Sequence, residues 1–127
     1  MNTYDPHRAP DPDAWLSLDE SQRIHLIRRY HQKARVKLPN ERLHATFHAI
    51  VENQAALGDE LPVRATLDRL MDEGLDRHDA VHAIAHRLAE FVMDLHTLAD
   101  LSEGDVKEQY LSELKAITAA DWLASFD

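Results

Sequence analysis

The residues that most constrain this chain are those it nearly lacks. Its 127 residues include three glycines and five prolines, and Pro6, Pro10 and Pro12 all stand near the N-terminus. After them the strong helix breakers are Pro39, Gly58, Pro62, Gly74 and Gly104. Between these marks the chain runs for helical lengths without interruption, and no alternating apolar–polar pattern of the strand type persists. The expected fold is therefore all-α, a single-domain bundle of about five helices. Its length is that of one domain, enough to bury a core without covalent staples. Residues 1–13 read as an extended N-terminal tail and residues 14–127 as the helical domain.

End signals divide the helical part. Ser17 to Glu20 has the spacing of a capping box and opens a helix to about Arg35, with Ile24, Ile27, His31 and Ala34 on one stripe. Asn40 suits the cap of a second helix from Glu41 to about Leu57, which Gly58 ends. A third, opened at Pro62 after the turn Asp59-Glu60-Leu61, carries Val63, Leu67, Leu70 and Met71 and stops at Gly74. Asp76 caps a fourth, whose apolar face runs from Val81 to Leu95. Ser102 to Asp105 restarts the chain into a fifth from Val106 to about Thr118. Asp121 to Phe126 adds a turn that docks Trp122 and Phe126.

Chemistry gathers on two of these helices. His44 and His48 stand four residues apart on the second, and His78 and His82 on the fourth. Four residues is about one helical turn, so each pair shares a face beside an apolar stripe. Imidazole is the commonest neutral metal ligand, and carboxylates complete many such sites. Glu52 continues the first row, while His86 and then Glu90 continue the second. Side by side, the two helices would bring His44, His48, Glu52, His78 and His82 together, with Glu90 as a further candidate. Helical bundles build His/Glu metal centres from facing helices in this way. His31 offers a third arm, since a lone histidine on an apolar stripe needs a partner. His7 and His25 read as surface or tail residues, and His96 as too distant. The competing reading makes all of these hydrogen-bonded residues at the border of the core.

Composition narrows the classes. With 14 Lys and Arg against 23 Asp and Glu, the formal charge is −9, the wrong sign for a phosphate-binding surface. Nucleic acid is not expected as a partner, nor is a membrane, since no apolar run is long enough to span one. No cysteine is present, which removes disulfides, thiolate ligands and iron–sulfur clusters and fits a cytoplasmic protein. The first dozen residues lack the apolar segment of a signal peptide. The expected cofactor is a divalent metal, one or two ions of Zn, Fe, Mn or Ni. A catalytic version would activate water with a spare glutamate as base, and a redox version would use iron. The alternative is a non-catalytic module that pairs with a second copy or binds a protein through its acidic surface.

The run LHATFHAIVENQ, followed by VRATLDRLMDEGLDRHDAVHAIAHRLAE, resembles an uncharacterised bacterial domain-of-unknown-function family. That family carries HxxxHxxxExQ on one helix and HxxxH with a later glutamate on another. The likeness covers roughly residues 40–90. It implies site roles for His44, His48, Glu52, Gln54, His78, His82 and Glu90, does not include His86, and carries no activity with it. There is also an analogy of chemistry with hemerythrin-type bundles, which pair HxxxE with HxxxH, although the intervals here differ.

Overall fold

The computed structural model describes residues 1–34, 40–58, 62–94 and 103–124. Among them lie seven helices: α1 (Pro12–Leu16), α2 (Glu20–Lys33), α3 (Glu41–Ala56), α4 (Val63–Asp72), α5 (Arg77–Asp94), α6 (Glu103–Ala116) and α7 (Ala119–Ala124). The fold is all-α, with five long helices and two short ones. No described helix is long and apolar enough to cross a membrane.

Local chemistry sets the ends. Asn40 caps α3 by accepting the Leu43 amide at 3.1 Å, and Asp76 accepts the Asp79 amide at 2.7 Å as α5 begins. Gly58 follows α3 at φ +70° and Gly74 follows α4 at φ +116°, left-handed positions that suit glycine. The first cap differs from expectation. Ser17 closes the short α1, its hydroxyl donating to the Ala14 carbonyl at 2.9 Å. Asp19 therefore opens α2, in a reciprocal capping box with Gln22. The fifth long helix starts at Glu103, three residues before the expected Val106, and the last turn is Ala119–Ala124. The expected break at Lys37 to Pro39, the turn at Asp59 to Leu61, and Arg35, Leu95, His96 and Phe126 lie outside the described residues.

The N-terminal stretch is without helix as far as Asp11, yet it is packed. Tyr4 and Pro6 are buried, and the Asp11 side chain caps α1 through the Ala14 amide at 3.0 Å. Tyr4, Trp15, Leu26, Ile27, Ala45 and Ala49 form one apolar cluster. A larger one joins Val51, Leu67, Leu70, Val81, Ile84, Leu88 and Leu114 across α3 to α6. Helix α3 contributes to both and packs against α2 on one side and α5 on the other. The two histidine helices are thus neighbours, as expected, and α2 brings a third arm. At the far end Arg69 donates to the carbonyls of Leu114 at 3.2 Å and Ile117 at 2.7 Å, fixing the α6–α7 corner.

Candidate metal centre

His31 on α2, His48 on α3, and His78 and His82 on α5 each offer one ligand atom, and these atoms lie within 4.8 Å of one another. Their ring centroids are 4.0 to 5.7 Å apart in all six pairings. The helical turn explains two of the four, because His78 and His82 lie 4.0 Å apart between centroids on one face of α5. His31 and His48 come from separate helices that converge on α5's histidines.

Hydrogen bonds fix which nitrogens are free. His31 Nδ1 lies 2.9 Å from the Ile27 carbonyl, which can only accept, so Nδ1 carries the proton and Nε2 keeps its lone pair. The Tyr4 hydroxyl has one proton and gives it to Glu52 in a close contact. Its oxygen, 2.7 Å from His48 Nε2, must accept from that ring, which leaves the lone pair on Nδ1. His31 Nε2, His48 Nδ1 and His78 Nε2 are buried nitrogens with no hydrogen-bond partner in the described structure. Burying one unpaired polar atom is costly, and three on adjacent rings require a common explanation. His82 Nε2 lies 3.1 Å from Nε2 of a fifth ring, His44.

The rings are neutral. Burial, reinforced by mutual repulsion among the imidazoles, holds His48 well below its ordinary range. Burial also lowers His44 and His78 to about 4 and His82 to about 2, and it lowers His31. Neutral imidazole is the form a cation needs, so no proton must leave before binding. Around a tetrahedral ion with metal–nitrogen bonds of ~2.0–2.1 Å, neighbouring nitrogens would sit roughly 3.4 Å apart. The four rings are therefore within about an ångström and a half of ligating distance, an adjustment that side-chain torsions can make.

The expected site residues divide. His48, His78 and His82 belong to the four-ring group, and His44 stands beside it, 4.7 Å from His82 and 4.9 Å from His31 between centroids. Glu52 is next to the rings but has other partners. Its carboxylate is 1% exposed, receives both arms of Arg77 at 2.7 and 2.8 Å, and accepts from Tyr4. It is linked to His48 through Tyr4 and does not join the four-ring group. Glu90 is drawn elsewhere: half-exposed, it pairs with His86 at 3.0 Å and Arg87 at 3.4 Å. Gln54 accepts from Tyr110 at 2.7 Å.

Three contributors lie beyond the expected ligand set, His31 having been offered only as a further arm and Arg77 and Tyr4 not at all. His31 was visible as a histidine on an apolar stripe, but the family likeness did not reach it. Arg77 answers a need the sequence already stated, since a glutamate on a buried face requires a cation. Tyr4 had the weaker signal of an aromatic ring in a polar, proline-rich stretch. No protein-family model, curated protein or solved structure matches the chain.

Proposed function

We propose that this chain is a metal-binding helical protein in which His31, His48, His78 and His82 hold one divalent transition metal. The observation that carries the reading is the convergence of four neutral imidazoles within 4.8 Å, with unpaired nitrogens on three of them. Packing alone would account for a ring that finds a partner, as His44 and His82 do, but not for three that find none. Four nitrogen donors suit zinc best, with iron and nickel as competitors, while manganese prefers oxygen. The Arg77–Glu52–Tyr4–His48 chain supports the same reading, because metal-bound histidines are commonly held by a carboxylate or its relay.

Elemental analysis of the untagged protein tests this. About one metal per chain is expected, lost when His48→Ala and His82→Ala are combined. Less than roughly 0.2 metal per chain, unchanged after refolding with zinc or iron, refutes it, because a preformed site recovers its ion.

A further inference from the structure

A cavity of about 560 Å³ opens beside the histidines. His82 belongs both to the four-ring group and to its wall, and His44, bonded to His82, lines it too. Leu43, Phe47, Ala89 and Trp122 make the remaining wall largely apolar. Leu43 is 51% exposed and forms part of the cavity's apolar wall. The volume is in the range of small-molecule sites, roughly 300–1,000 Å³.

Charge decides what such a cavity would take. Four neutral imidazoles leave a divalent ion with both of its charges. Glu52, the buried carboxylate beside the rings, is already matched by Arg77 and adds nothing net. Two titratable side chains besides His44 and His82 line the cavity: His86, which is paired with Glu90 at 3.0 Å, and Asp79, which supplies one negative charge. One positive charge remains, and a low-dielectric setting makes its neutralisation strongly favourable. A dianion would overshoot beside Asp79, in a chain whose formal charge is −9.

We infer that this cavity binds a small monocarboxylate with an apolar tail, the carboxylate reaching the ion past His82 as a fifth ligand added to the four rings and the tail against Leu43, Phe47 and Trp122. The inference rests on the metal reading above. It identifies the site as one that recognises an organic acid rather than one that only stores metal.

The test uses the full chain loaded with Co²⁺, whose visible ligand-field bands report the coordination sphere. Cobalt is titrated first, then benzoate, acetate and inorganic phosphate are added separately to the loaded protein. Benzoate should shift the bands and bind at least about tenfold more tightly than acetate, because its ring is buried. Phosphate should bind more weakly than benzoate. Leu43→Glu adds a charge at an exposed position and leaves the core untouched; Ala89→Trp fills the cavity. Each should weaken benzoate about tenfold or more while cobalt affinity stays within about twofold. Cobalt binding with bands that ignore benzoate, or a benzoate affinity equal in both variants and the parent, overturns the cavity inference and leaves the metal site standing. No cobalt binding at all overturns the metal reading and this inference with it.

Discussion

Replacing Tyr4 by phenylalanine removes one oxygen and keeps the buried ring. In the folded protein that oxygen accepts from His48 Nε2 at 2.7 Å and donates to Glu52, so its loss leaves His48 without the partner that fixes its proton. The packing of Tyr4 against Trp15, with centroids 5.4 Å apart, survives the change. Burial and the adjacent Glu52 carboxylate hold the Tyr4 phenol well above its usual range, so the group removed is a neutral hydroxyl and no charge is lost. The apo protein loses one buried donor–acceptor relay, which costs about 1–3 kcal/mol against a total stability of roughly 5–15 kcal/mol for a domain of this size. Glu52 retains Arg77, which places the expected loss towards the lower end. On the proposed metal reading, binding also loses the orientation of one ligand, a step of about 10- to 100-fold in affinity. Urea unfolding in EDTA reads the first quantity, and competition against a chromophoric chelator reads the second. If Tyr4→Phe leaves the urea midpoint and the metal affinity both unchanged, the hydroxyl does not set the state of His48 and the relay argument fails.

Arg77→Met should be more damaging than Tyr4→Phe, by about 3–5 kcal/mol in urea unfolding, since it leaves the Glu52 carboxylate buried without its cation; the paired change Arg77→Met with Glu52→Gln should recover much of that loss. Acid should destabilise the metal-free protein early. The unfolded chain takes up protons near the ordinary histidine value, whereas His44 and His78 resist until about 4 and His82 until about 2. Stability is therefore complete above pH 6.5 and falls as pH drops towards 4, by about 1–2 kcal/mol per unit once the solvent reaching these half-buried rings is allowed for; an unfolding midpoint flat between pH 7 and 5 contradicts this. His31→Ala should abolish stoichiometric metal in elemental analysis, while Glu90→Gln should leave it unchanged, because Glu90 pairs with His86 and Arg87. A reversed pattern would move the centre to the far end of α5.

The breaker spacing and the histidine spacing carried most of what could be read beforehand. Asn40, Gly58, Pro62, Gly74 and Asp76 act locally, so the ends of α3 and α4 and the start of α5 followed from neighbouring residues alone. The pairing of α3 with α5 followed from their shared chemistry. What escaped was long-range. Glu52 has the spacing of a ligand, but whether a carboxylate faces an ion or an arginine depends on what another helix delivers, and Arg77 arrives at the first residue of α5. Tyr4 reaches His48 across 44 residues, a contact no periodicity encodes. Ser17 shows the same limit on a small scale, since its spacing fits a cap that Asp19 makes once α1 has formed.

The four-ring group is drawn from α2, α3 and α5 and braced by a tyrosine from the chain's beginning. Its order of assembly follows from that dispersion. No single helix holds more than two of the rings, so an ion cannot nucleate the fold as it does in a short finger whose ligands are local. Capture comes after the helices have docked. Full release of the proposed ion, unlike access of a small ligand through the cavity beside His82, requires rings on different helices to part, with α2 or the N-terminal segment lifting away. On the proposed metal reading, the rate at which the loaded protein gives up the ion to a chelator should report the local opening of that edge, and should match the amide exchange rate there rather than that of global unfolding.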